Sequence, residues 1–515
     1  MLALAFSAAV AGCDAHVVRV ETDSAPGVPH FAIVGLPDRA LNESRERVRA
    51  AIVNSGFGFP PGRLLVNLAP ADMRKEGVAF DLAIALALLA TDEQIAGAAL
   101  RGYVVCGELA LDGTLRAVPG VLAMVLAARR ADFAQVIVAE ANADEAALVE
   151  GIDIYAVPTL GDAVATVLGH GAKFRRRGTT VIDEPPHDAV GDFADVRGQR
   201  LAKRALEIAA AGGHNVVLVG PPGCGKTMLA RRVPSILPRM NAAEALEVTK
   251  IYSIAGLLGT CPRVVATRPF RAPHHTASRV SLVGGGATPR PGEISLAQSG
   301  VLYLDELGEF SRGTLEVLRQ PLEEGTVTIA RAAGTHTFPA RFTLVASMNP
   351  CPCGFRGDRN ADCRCDDTTV QRYLAKLSGP LLDRIDLHVT VTRVSFDELV
   401  REGAAETSAQ VRARVEKARE RQSMRLHESA ASTNAQIPAA HLRRLCVLEP
   451  DALALLEGAV ARGALSARAF DRVTRVARTI ADLAGAERIC RPHVAEALLY
   501  RAADTRPSVS QHLAS

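Results

Sequence analysis

The sequence predicts an α/β chain of about three domains whose last part turns almost wholly helical. Three observations carry this. An apolar run at 216–219 meets the octapeptide Gly220-Pro-Pro-Gly-Cys-Gly-Lys-Thr227 and then a helix-like stretch at 228–237. Residues 1–170 alternate short apolar runs with Ala-rich segments of helical length. Beyond residue 395 the apolar positions follow the helical period instead.

Composition sets the limits. The chain has 515 residues, 48% of them hydrophobic and 22% charged, enough for sizeable cores. Aromatics supply 4% and Trp is absent, so those cores must rest on Ala, Leu, Val and Ile. A net charge of +3 neither demands nor excludes nucleic acid.

The first segment contains Val10-Ala-Gly-Cys13, which looks like a lipid-attachment box. No Lys or Arg precedes Arg19, however, and residues 16–22 alternate as a strand does, so a buried first strand is expected. Further strands are expected at 31–34, 64–68, 103–108 and 136–139, with helices at 40–55 and 80–90. The longest apolar stretch, 78–90, is interrupted by Asp81 and falls short of the roughly 18 residues that a membrane helix needs. No membrane partner is expected. Residues 171–191 carry Arg-Arg-Arg, Thr-Thr and Pro-Pro, which is linker chemistry. The expected division is therefore 1–170, the linker 171–191, an α/β core at 192–394 and a helical part at 395–515. Helices in that last part are expected at 409–425, 438–446, 451–462, 467–484 and 492–502.

A strand, a glycine-rich turn and a helix start are what a triphosphate needs. Gly220, Pro221, Pro222, Gly223, Cys224, Gly225, Lys226 and Thr227 form the candidate cradle for ATP. Lys226 would reach the β- and γ-phosphates, and the Thr227 hydroxyl would ligate Mg²⁺. A second strand, 301–306, ends in Asp305 and Glu306. A buried strand that delivers acids at its C-terminal edge fits a metal site, with Asp305 on Mg²⁺ and Glu306 on the attacking water. A third strand, 342–347, leads to Asn349, whose amide could contact the γ-phosphate or that water.

Ten cysteines occur, and four crowd into residues 351–365, unlike a secreted disulfide framework. The expected compartment is the cytoplasm. Cys351, Cys353, Cys363 and Cys365 could close a tetrahedral zinc site; a redox or disulfide pair and an iron–sulfur centre are the competing readings. Cys13, Cys106, Cys261, Cys446 and Cys490 are expected as packed core thiols.

Order and spacing in the core resemble the AAA+ ATPases. Asp192–Gln199 resembles their segment that lies over the adenine, and Asn349 matches the sensor-1 position. Ser378-Gly-Pro-Leu-Leu-Asp-Arg-Ile-Asp386 resembles the motif that carries a trans-acting arginine finger, which would be Arg384. A salt bridge from Arg384 to Asp383 or Asp386 is the plainer alternative. Leu465-Ser-Ala-Arg-Ala-Phe470 resembles the sensor-2 segment, with Arg468 as its arginine; a surface arginine is the competing reading. A finger that acts in trans implies a ring, here a homo-hexamer.

Residues 270–278 with Gly284-Gly-Gly286, and the hairpin 327–338, match the two inserts of the chelatase and MCM branch. In ring motors these face the pore, so the resemblance makes Arg271, Arg279 and Arg331 candidate DNA contacts. Packing of His274 and His275 against a neighbouring subunit is the competing reading, and zinc at this pair is disfavoured. Residues 31–37, 64–70, 76–84 and 106–113 resemble a Lon-protease-type (S5-like) α/β domain. Yet no serine occurs from Lys75 to Thr91 and no lysine from Pro119 to Arg130, so the Ser–Lys dyad is missing. Arg45, Arg47, Arg49 and Arg63 could touch nucleic acid, and a solvated helix face explains the first three equally well.

Together these features resemble the YifB/ComM family of magnesium-chelatase-like proteins over nearly the whole chain. The resemblance implies a Lon-like domain, an AAA+ core, a helical lid and a hexameric, ATP-driven helicase. Its partner would be single-stranded or branched DNA, with branch migration in natural transformation or recombination as the task. A chelatase-type ATPase that remodels a protein partner is the alternative.

Overall fold

The first two strands, Leu2–Ala11 and Asp14–Ala25, form one long antiparallel hairpin at the centre of a seven-stranded sheet. This is a computed structural model, and it describes residues 2–71, 75, 77–174, 191–259, 264–286, 289–331, 334–358, 361–394, 406–429, 431–462 and 465–501. The linker expected at 171–191 and Cys261 lie almost wholly or wholly outside those residues. Across the sheet the order is His30–Val34, Arg63–Ala69, Asp14–Ala25, Leu2–Ala11, Tyr103–Cys106, Gln135–Ala139 and Asp153–Val157.

Alternation sends neighbouring residues of one strand into different cores. Tyr103 and Val105 pack with the helix Asp81–Thr91, whereas Val104 and Cys106 pack with the helix Val121–Arg130. The Asp81–Thr91 helix is buried along its whole length, which explains why its sequence has no polar stripe. No helix among the described residues is long and apolar enough to cross a membrane.

The second sheet has five parallel strands, in the order Phe270–Arg271, Val301–Leu304, Thr343–Met348, Val216–Val219 and Leu387–Thr390. All their C-terminal ends therefore face one side, where such sheets bind ligands. The helix expected over 228–237 is split into Lys226–Arg231 and Val233–Ile236. Pro234 has no N–H to continue the ladder. The segment expected as one helix over 438–446 is likewise two short turns, Ala439–His441 and Leu442–Leu445.

The C-terminal helices Ser408–Leu426, Pro450–Ala461 and Ala467–Ala484 share one apolar core with the helix Arg200–Gly212 and the second sheet. The N-terminal region docks on the helix Ala242–Ala255: Lys250 pairs with Asp14 at 3.0 Å, and Gly120 N–H donates to the Ser253 carbonyl at 3.2 Å. Cys13, at the hairpin turn, is buried in the second region's core, and burial pushes its thiol up to about 12. Cys106 and Cys446 are buried too, while Cys490 is only partly covered and departs from the packed-core expectation. It starts the helix Arg491–Leu499, where side chains meet water.

Arg47 also departs from its expected place on a solvated face. It donates to the fully buried Asp81 carboxylate at 3.1 Å. Arg49 covers the Phe59 ring at 5.3 Å from its centroid.

Candidate functional site

Gly220–Thr227 leaves the Val216–Val219 strand and enters the helix that starts at Lys226. Gly225 has φ +91°, a backbone that a side chain would strain, and it turns the chain into that helix. Lys226 is half-buried and donates to the carbonyls of Gly220 at 2.7 Å and Pro221 at 2.8 Å. It also donates to Asn349 Oδ1 at 3.2 Å, which ties the loop to the strand Thr343–Met348. Burial lowers its ammonium below the usual range. Gln199, in the segment expected over the adenine, donates to the Cys224 carbonyl at 3.2 Å and the Thr392 carbonyl at 2.6 Å.

Asp305 lies just past the Val301–Leu304 strand and accepts from Thr227 Oγ1 at 3.0 Å. Ser347 Oγ donates to its other oxygen. Tyr303 OH lies 3.0 Å from Ser347 Oγ and 3.3 Å from Thr227 Oγ1, within hydrogen-bond reach of both, with its one proton available to either. Burial raises the Asp305 carboxyl, but the hydroxyls of Ser347, Thr227 and Tyr303 outweigh it and hold the group below the usual range. Tyr303 and Ser347 were not singled out from sequence. Their signal was available, because Tyr303 stands two residues before Asp305 and Ser347 two before Asn349, and alternate strand residues share a face.

Glu306 adopts a left-handed backbone at φ 52°, a conformation that costs a non-glycine residue about 1 kcal/mol or more. Its carboxylate lies 3.1 Å from His275 Nδ1. The His274 and His275 rings are 4.1 Å apart. His275 thus meets the candidate base within the chain.

The two other candidate arginines are Arg384 and Arg468. Arg384 pairs with Glu323 rather than with Asp383 or Asp386, and donates to the Pro380 carbonyl at 2.7 Å. Arg468 is exposed in the first turn of Ala467–Ala484. A hydrogen bond from Arg384, then the charges of Arg384 and Arg468, hold the Glu323 carboxyl below its usual range.

Of the three candidate DNA contacts, Arg271 sits in the central sheet and grips Glu293 through two bonds of 2.6 and 2.8 Å. That ion pair engages the Arg271 guanidinium within the chain. Arg279 and Arg331 are exposed. Arg331 stands on the hairpin of Thr326–Arg331 and Gly334–Pro339, and a Cβ placed on Gly285 would lie 3.3 Å from its guanidinium. The two inserts are therefore neighbours.

The sulfurs of Cys351, Cys353, Cys363 and Cys365 lie within 4.8 Å of one another. Cys351 Sγ is 3.3 Å from Cys353 and 3.7 Å from Cys363, and Cys353 is 3.6 Å from Cys363. Zinc–sulfur bonds of about 2.3 Å would set tetrahedral edges of about 3.8 Å, whereas a disulfide needs about 2.05 Å. The donor set fits the metal. Amides of Phe355 and Arg364 also pull the Cys353 thiol down to about 6. This knob touches the phosphate loop: a Cβ on Gly354 would fall 2.7 Å from the Pro222 ring.

Comparison with known proteins gives three matches to magnesium chelatase families. Residues 192–399 match magnesium chelatase, subunit ChlI; residues 20–142 match subunit ChlI of Mg-chelatase; residues 405–501 match the ChlI C-terminal part. The chain is 45% identical over 511 residues to an uncharacterized protein of Mycobacterium tuberculosis, covering 98% of this chain and 99% of that one. It is 45% identical over 507 residues to the competence protein ComM of Haemophilus influenzae, covering 97% of each. With YifB of Escherichia coli it shares 43% over 505 residues, 98% of this chain and 97% of the other.

Proposed function

Since the chain belongs to the YifB/ComM family of magnesium-chelatase-like AAA+ ATPases, we propose that it is an ATP-driven hexameric DNA motor. Its task in this reading is branch migration during natural transformation or homologous recombination, in the cytoplasm. The observation that carries the reading is the division of charge into two groups. Lys226, Thr227, Asp305 and Asn349 converge at the strand ends, while Arg384 is held at Glu323 and the exposed Arg468 adds its charge to the field at that carboxylate. Arginines outside the chain's own phosphate site suit a neighbour's pocket.

Lys226 and the loop amides bind the phosphates, and Asn349 holds the lysine toward them. Thr227 and Asp305 would hold Mg²⁺, which when bound neutralises charge on the transferring phosphoryl group. Glu306 orients or deprotonates water, and His275 faces the same carboxylate from the insert. Arg384 of one subunit completes the next subunit's pocket, with Arg468 beside it. Arg279 and Arg331 line the pore and contact the strand.

The seven-stranded N-terminal region is read as a Lon-like domain without its dyad, the C-terminal helices as the lid. Cys351, Cys353, Cys363 and Cys365 would hold zinc and brace the phosphate loop at Pro222.

A second reading, an ATPase that remodels a protein partner, draws on the three chelatase matches. One assay separates the two. Forked DNA should stimulate ATP turnover and be branch-migrated, with Glu306→Gln binding ATP but moving no strand. Turnover raised only by a protein partner would replace the motor with the remodeller.

A further inference from the structure

His214 and Asn215 stand immediately before the Val216–Val219 strand that ends in the phosphate loop. The Asn215 side chain uses both its ends. Its Oδ1 accepts from Leu344 N–H at 2.8 Å, on the strand that leads to Asn349, and its Nδ2 donates to the Arg384 carbonyl at 3.0 Å. An amide held at both ends has a single orientation. The Asn215 carbonyl also accepts from the Asp386 and Leu387 amides, each at 3.0 Å.

His214 is fully buried. One ring nitrogen meets Asp386 Oδ2 at 3.2 Å, and the other meets Thr479 Oγ1 at 2.8 Å, on the helix that begins beside Arg468. A Cβ on Gly212 would fall 2.3 Å from this ring and 2.5 Å from Thr479 Oγ1, so a glycine there is what leaves room for the contact. The two residues thus join four things: the phosphate-loop strand, the strand of Asn349, the Arg384 turn and the Arg468 helix.

We propose that Asn215, steadied by His214 and Asp386, is the positioning residue that sets how a chain presents Arg384 to its neighbour. The inference rests on Arg384 acting across subunits. A shift between the two central strands on nucleotide binding moves the Arg384 carbonyl through Asn215. Each chain's own pocket thereby adjusts the finger that it offers to the next chain. Nothing in Asn215 touches the phosphate loop itself, so its loss should spare nucleotide binding.

Asn215→Asp keeps the acceptor for Leu344 but turns an acceptor toward the Arg384 carbonyl. The expected result is a kcat lower by about tenfold, with KM for ATP within about twofold of the parent. Lys226→Ala chains have a dead pocket and an intact finger. Mixing them with Asn215→Asp chains should restore turnover in the Asn215→Asp pockets, as mixing them with Arg384→Ala chains should. Restoration for Arg384→Ala without restoration for Asn215→Asp, an unchanged kcat, or a raised KM overturns the inference and leaves the finger in place. No restoration for Arg384→Ala removes the trans finger and the inference with it. Should Asn215→Asp fail to fold, Asp386→Asn, which weakens the His214 contact, is read by the same mixing comparison.

Discussion

Asp81 in the N-terminal region is fully buried and Asp305, just past a strand of the five-stranded sheet, is half-buried, and the two acids are used in opposite ways. Asp81 is sealed off and paired with Arg47, and burial still pushes its carboxyl above the usual range. Asp305 is surrounded by neutral hydroxyls, which hold it ionised without any cation among its hydrogen-bond partners. The first carboxylate is committed to an arginine and holds a fold together. The second keeps its full negative charge available to a metal beside a phosphate loop. Burial of an acid alone does not mark a catalytic site; what neutralises it does.

The largest effect that would test this contrast is in turnover. Asp305→Asn should lower ATP hydrolysis by at least about 100-fold with little change in melting temperature. Loss of fold in that variant would place Asp305 with Asp81. Conversely, Arg47→Met should leave turnover per folded molecule intact. By stranding the Asp81 charge, it should cost about 3–5 kcal/mol in unfolding experiments. A smaller test is the acid limb of stability. The folded value of Asp305 lies below its unfolded value of about 3.9, so its contribution is present above that pH and lost as pH falls through the folded value. For Asp81 the folded value lies above, so the cost of its charge disappears over a similar fall. Asp305→Asn should therefore flatten the acid loss of stability and Asp81→Asn should steepen it. Parallel changes would contradict the contrast.

Much of this was legible in the residues. Gly220–Thr227, Asp305, Glu306 and Asn349 converge because glycine loops and strand-end acids carry local signals, and the parallel sheet brings them to one side. Most of the expected strands and helices fall within a residue or two of the observed ones for the same reason, whereas the strands Asp153–Val157 and Leu387–Thr390 were not expected. The partners that tune the site were not legible. Glu323 is 61 positions from Arg384, Asp81 is 34 from Arg47, and Glu293 is 22 from Arg271, so nothing local pairs them. Pro234 is a legible helix breaker, and it stands at the second position of the shorter helix Val233–Ile236. His275 could be seen only as half of a histidine pair, since its contact with Glu306 depends on how the Phe270–Arg271 strand leads its loop back over the acids.

The proposed motor depends on pockets that two chains complete and that DNA governs. The most direct measurement is ATP turnover per chain across a dilution series, with and without single-stranded DNA. Turnover per chain should climb steeply as chains assemble, and climb further with DNA. A dilute chain that hydrolyses at the full rate, unmoved by DNA at every concentration, would contradict it.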